Sequence, residues 1–124
     1  MFSLNSSVRY YLYQGTTDMR NSFDGLSGIV KSRLGKDPLS GDVFIFLNKR
    51  RNLIKLLKWE QGGFELYYKR LETGTLELPE IKKDALYCQI SWPVLVMMVE
   101  GISIKKIVQR KRFFVEEIYP QYSS

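Results

Sequence analysis

The sequence predicts an α+β fold: a single domain with an antiparallel β-sheet, a meander around residues 42–70, packed by a helix near 18–34 and a second helix near 92–100. Three observations predict it. Residues 42–70, DVFIFLNKRRNLIKLLKWEQGGFELYYKR, hold short apolar runs separated by turn residues and rich in the β-formers Phe, Ile, Tyr and Trp. Met19, Phe23, Leu26, Ile29, Val30 and Leu34 recur at spacings of three and four, which places them on one stripe of a helix. Ser91-Trp92-Pro93 opens another apolar segment with an N-cap and a proline in the first turn, and Gly101 stops it.

The meander reads as strands joined by a basic first turn, Asn48-Lys49-Arg50-Arg51-Asn52, and a Gly62-Gly63 second turn. Side chains alternate between the faces of a strand. If Asn48 faces Leu53 and Trp59 faces Phe64, one face collects Phe44, Phe46, Leu53, Leu57, Trp59, Phe64, Leu66 and Tyr68, with Lys55 its one charge. The other face collects Val43, Ile45, Leu47, Ile54 and Leu56, then turns polar with Lys58, Glu65 and Lys69. Lys58 opposes Glu65 in this register, a cross-strand pair that contributes roughly 0.2–1 kcal/mol. A slip of one residue would put Lys58 among the aromatics, so the pattern selects the register. The third strand reads as an edge and the first as apolar on both faces.

Around the meander, Arg9-Tyr10-Tyr11-Leu12-Tyr13 is a first strand closed by Gln14-Gly15. Thr17 or Asp18 caps the first helix, Arg33 and Lys36 suit the negative end of its dipole, and Gly35 supplies a left-handed C-cap before Asp37-Pro38. Gly25 and Gly28 lie inside that helix at a cost of roughly 1 kcal/mol each relative to Ala, and read as points of close helix-on-sheet approach. Residues 76–79 suggest a short edge strand ending at Pro79, 80–84 a charged loop, and 85–90 a further strand. Val94, Val96 and Val99 are β-branched and lower the propensity of the second helix. The domain is expected to span 1–101. Residues 102–124 form a basic extension carrying Lys105, Lys106, Arg110, Lys111 and Arg112, helical or with a strand at 112–119, and frayed at its end.

Composition excludes several chemistries. The 124 residues fit one domain with its own core. There is no histidine and one cysteine, Cys88, so the chain has no internal disulfide, CxxC site or His-based mechanism. The opening Met1-Phe2-Ser3-Leu4-Asn5 is too polar for a signal peptide, and the apolar run at 92–99 is far short of the ~20 residues that span a bilayer. A cytoplasmic location without membrane contact is expected. The 13 carboxylates sit at caps, turns and hairpins with no metal-ligand spacing. No nucleophile elbow, no Ser-x-x-Lys surrounded by a catalytic set, no phosphate loop and no dinucleotide fingerprint occurs. Neither a catalytic residue, a metal nor a cofactor is expected.

What remains is basic. The net charge of +6 favours polyanionic partners. Lys49, Arg50 and Arg51 put three cations on a hairpin tip, Lys55, Lys58, Lys69 and Arg70 extend the positive region along the sheet, and Lys105 to Arg112 add a second cluster. Lys and Arg neutralise phosphates, and β-ribbons enter DNA grooves. The aromatic face could stack bases, but the Met19–Leu34 stripe needs a partner, so it reads as core.

Several blocks together resemble one family. They are Tyr11-Leu12-Tyr13-Gln14-Gly15-Thr16-Thr17-Asp18-Met19-Arg20, Ser22-Phe23-Asp24-Gly25-Leu26, Asp37-Pro38-Leu39-Ser40-Gly41-Asp42-Val43-Phe44-Ile45-Phe46 and Lys49-Arg50-Arg51. Lys55-Leu56-Leu57-Lys58-Trp59-Glu60, Gly63-Phe64 and Tyr68-Lys69-Arg70-Leu71-Glu72-Thr73-Gly74 continue the series. In this order, over roughly 9–101, they resemble the TnpB accessory protein, the second reading-frame product of insertion sequence 66 family elements. The resemblance implies participation in DNA transposition beside a separate transposase that carries the catalytic acids, and it transfers no catalytic residue. The expected function is a non-enzymatic accessory that binds insertion-sequence ends through the basic tip. The alternative is an adaptor that docks on the transposase without touching DNA.

Overall fold

Tyr10–Thr16 (β1) and Val43–Leu47 (β2) lie side by side and run parallel, which requires the chain between them to cross over one face of the sheet. The computed structural model describes residues 4–79 and 84–100. The crossover carries the helix α1, Phe23–Ile29, extended by a π-helical turn at Val30–Leu34. Strands β3 (Leu53–Glu60), β4 (Gly63–Arg70) and β5 (Tyr87–Ile90) and the helix α2 (Trp92–Glu100) complete the order. The sheet runs β4-β3-β2-β1-β5. The α+β class and both helices are thus as expected. The sheet, however, is mixed rather than antiparallel: only the meander β2-β3-β4 and the β1–β5 pair are antiparallel.

The meander adopts the register that the alternation selects. Phe44 pairs with Leu57, Leu47 with Ile54, Lys58 with Glu65 and Trp59 with Phe64. β4 forms one edge. The second turn is shifted by one residue: Gln61 and Gly62 occupy it with φ of 48° and 86°, and Gly63 already pairs with Glu60. Two successive positive φ values match the right-handed twist of a two-residue hairpin.

Two apolar layers form, one on each face. Tyr11, Phe44, Phe46 and Leu57 pack against Leu26, Val30 and Leu34 of the crossover. Each of these aliphatic side chains contributes about 1.5–3 kcal/mol on full burial. Tyr10, Leu12, Val43, Ile45, Ile54 and Leu56 pack against Leu95 and Met98 of α2 and against Leu76. β2 is therefore buried along its whole length. Of the aromatic face, Phe44 and Phe46 are core and Phe64 packs at its margin, while Tyr68 is exposed.

Four local expectations are corrected. The first helix starts at Phe23, not near residue 18, because Asp18 is spent on a turn: its carboxylate accepts from the Arg20 amide at 2.9 Å and its carbonyl from the Asn21 amide at 3.1 Å. Ser22 holds the N-cap position without a side-chain cap. A Cβ on Gly28 would meet nothing within 4 Å, so Gly28 serves no contact with the sheet, and the atoms nearest to a Cβ on Gly25 belong to Asn21. Residues 76–79 form no strand; Leu76 is instead buried and its amide donates to the Arg51 carbonyl at 2.7 Å. Gly35 does take the left-handed C-cap, at φ 64°, and the Ser91 hydroxyl accepts from the Val94 amide at 3.4 Å at the start of α2.

Candidate nucleic-acid interface

The tip between β2 and β3 is built by asparagine. Asn48 Oδ1 accepts from the amides of Asn52 and Leu53 at 3.1 and 3.0 Å, and its Nδ2 donates to Asn52 Oδ1 at 2.7 Å. Such side-chain bonds replace the ladder where the strands part. The Arg51 amide donates to the Asn48 carbonyl at 3.1 Å, and Arg51 takes a left-handed φ of 58°. From below, the segment after β4 holds the tip: Leu71 and Leu76 amides donate to the Asn52 and Arg51 carbonyls, both at 2.7 Å. Lys49, Arg50 and Arg51 are exposed on this braced turn. Among the described residues none of the three side chains forms a hydrogen bond or ion pair.

The other predicted contact residues fall elsewhere. Lys55 is 5% exposed and faces the crossover, where its Nζ donates to the Met19 and Asn21 carbonyls at 2.7 Å each and lies 4.7 Å from the Tyr68 ring centroid. Burial lowers its pKa, partly offset by the Asp18 charge. Lys58 is buried on the opposite face, with Nζ 3.6 Å from Glu60 Oε1. Lys69 donates to the Val99 carbonyl at 2.7 Å, neutralising the end of α2. These three lysines hold the fold together and offer no phosphate a free cation. Arg70 is exposed but shared with Glu72 at 3.0 Å. Lys105, Lys106, Arg110, Lys111 and Arg112 lie outside the described residues.

On the crossover side two arginines are paired with acids and one lysine lies over aromatic rings, while Lys31 and Arg33 are exposed. The Arg20 guanidinium clamps Asp18 in three hydrogen bonds and holds its carboxyl at about 2, well below the ordinary value. Arg9 pairs with Asp42 at 3.1 Å, and Lys36 lies over the rings of Tyr11 and Tyr87 at 4.2 and 5.0 Å. Among the described residues no three of His, Cys, Asp and Glu converge on a point that could hold a metal ion.

Beside the tip lies a groove of about 400 Å³ that the residue pattern does not announce. β1 leaves its ladder with β2 between Leu12, opposite Ile45, and Thr16, opposite Leu47. Four residues on β1 thus span what two span on β2, and the bulging main chain opens the groove at the carboxyl ends of the two parallel strands. The one sequence signal is Gly15 inside a strand pattern. A Cβ there would run into the Tyr13 side chain, which folds back over it.

The architecture defines a class: a small mixed-sheet α+β protein that presents an exposed basic hairpin tip. Residues 8–109 match the family model of IS66 Orf2 like protein, so the chain belongs to the insertion sequence 66 Orf2-like (TnpB accessory) family. The match runs past Gly101 and takes in Lys105 and Lys106. Two proteins of Sinorhizobium fredii (strain NBRC 101917 / NGR234) are similar to it. Uncharacterized protein y4jC is 32% identical over 110 residues, covering 89% of this chain and 92% of the relative. Uncharacterized protein y4hO is 33% identical over 103 residues, covering 82% and 87%. No solved structure matches the chain. Family membership points to an accessory role in transposition, and among the described residues no helix is long and apolar enough to cross a membrane.

Proposed function

We propose that the protein serves transposition as a non-catalytic accessory that binds DNA through Lys49, Arg50 and Arg51, joined by Lys105, Lys106, Arg110, Lys111 and Arg112 of the basic extension. One observation carries this reading: the three tip cations are exposed and, among the described residues, unpaired on a turn fixed by Asn48 and by the Leu71 and Leu76 amides, whereas other cations of the sheet are buried or shared. A braced turn brings cations to phosphate without ordering a loop first, so little of the binding energy is lost to entropy. Insertion-sequence ends are the proposed DNA, with the transposase as the protein partner. Titration of fluorescent duplexes at two salt concentrations tests it. Binding should weaken steeply with salt, and unchanged affinity on neutralising the tip would refute the site.

A second reading has its own support. Both sheet edges are open among the described residues, and Tyr68 on β4 and Leu86 before β5 are 52% and 57% exposed. Open edges and exposed apolar side chains suit docking on a protein partner. In this adaptor reading the transposase is bound without DNA contact. A pull-down with the transposase from nuclease-treated lysate separates the two, because association through DNA is lost there and direct docking is kept.

A further inference from the structure

The groove beside the tip contains an unexplained donor. Gln14 lines it, and among the described residues its buried Nε2 finds no hydrogen-bond acceptor. An orphaned buried donor costs about 1–3 kcal/mol, so a group that supplies the missing acceptor is bound with that penalty relieved. Lys49 and Arg51 of the tip line the same groove, as do the small Gly15 and Thr16. Among the described residues its lining holds two cations and no carboxylate. About 400 Å³ is within the range of ligand sites, and ample for a phosphate with an attached sugar. The groove opens outside the carboxyl ends of the parallel strands β1 and β2.

We propose that this groove is a phosphate seat, in which Lys49 and Arg51 neutralise the charge and the Gln14 side chain turns to bring its buried Nε2 to one phosphate oxygen. The phosphate belongs either to a DNA backbone lying across the tip or to a free phosphate or nucleotide. The first source rests on the DNA-binding reading above; the seat itself does not. Gln14 adds what the exposed cations lack, an uncharged donor anchored to β1 that sets the position of one phosphate relative to the sheet. Gly15 leaves room for the Tyr13 ring, which folds over it at the groove.

The test compares thermal unfolding of the full chain in inorganic phosphate and in chloride at matched ionic strength, for the wild type and Gln14→Met. Met keeps the length of the side chain and removes the orphaned donor. The variant should unfold at the same or a higher temperature without phosphate and show a smaller phosphate-dependent rise. Phosphate also stabilises folded proteins by exclusion from their surface, an effect common to both chains, so the seat is read from the difference. Arg51→Asn, which suits the left-handed turn, gives a second variant that should also reduce the rise.

In duplex titrations Gln14→Met should weaken binding about 5–10-fold with an unchanged salt slope, because glutamine carries no charge to release counterions. Equal phosphate-dependent rises in all three chains would overturn the seat, with a water as the partner of Gln14, even if the basic tip still bound DNA. A rise lost in both variants, with no duplex binding by the wild type, would keep the seat for free phosphate and reject the DNA reading.

Discussion

The Lys55 ammonium, in the middle of β3, donates to the main-chain carbonyl of Met19 at 2.7 Å, bridging 36 residues of chain. A second bond to the Asn21 carbonyl has the same length. Together they tie the loop that leads into α1 onto the meander and satisfy carbonyls just ahead of the helix. The charge that marks Lys55 as a DNA contact in the sequence is spent on the fold.

Lys55→Met should therefore destabilise the protein by about 2–3 kcal/mol, since two acceptors lose a charged donor. Chemical denaturation measures it, and the salt slope of duplex binding should stay as in the wild type. The sign with pH follows from the lowered pKa. Between the folded value and the ordinary 10.5 the unfolded chain binds the extra proton, so Lys55 makes stability rise with pH through that window. The titration of Lys55 Nζ by NMR should have its midpoint below 10.5.

Asp18 should titrate at about 2, held down chiefly by the hydrogen bonds from Arg20. A carboxyl lowered in the folded state lends stability above its ordinary value of 3.8 and loses it as pH falls toward 2. In Arg20→Ala the carboxyl resonance of Asp18 should titrate closer to 3.8, which NMR reads directly.

Arg51 sits at φ 58°, where an L side chain costs about 1–2 kcal/mol and glycine nothing comparable. Arg51→Gly should match or exceed the wild type in stability by up to about 1 kcal/mol after the entropy of glycine is counted. Arg51→Val should lower it. Thermal unfolding of the two variants distinguishes backbone strain from loss of the charge.

Gly28→Ala should stabilise by about 0.4–1 kcal/mol, because the position is helical and exposed and an added Cβ meets nothing within 4 Å. A loss of stability would mean that the helix does approach a neighbour at this point. Denaturant midpoints at constant slope give the answer.

The meander was legible because alternation is local and unforgiving: moving Lys58 by one residue exposes a whole apolar face, and the observed Lys58–Glu65 pairing follows. The parallel pairing of β1 with β2 is not written in either strand, since it depends on which edge the crossover returns to. Lys55 and Lys69 mislead for a related reason. A lysine reads as exposed until a distant carbonyl, here that of Met19 or Val99, is brought within reach. Thr17-Asp18 resembles a helix cap because the same side-chain chemistry that caps a helix also closes a turn, and Asp18 closes one with the Arg20 amide. At the candidate site, the exposed tip could be read from Asn48 to Asn52. The groove could not, because it arises from a bulge that re-aims Gln14 and leaves only Gly15 as a trace.

The central claim is that Lys49, Arg50 and Arg51 contact DNA phosphates. The most direct measurement is the salt dependence of affinity for an insertion-sequence-end duplex and an unrelated duplex, with the wild type and with a Lys49→Ala, Arg50→Ala, Arg51→Asn variant. Each lost phosphate contact lowers the slope of log affinity against log salt by about 0.9, so the variant should lose up to about 2.7 in slope on either duplex. A variant that binds as tightly as the wild type at both low and high salt would contradict the account.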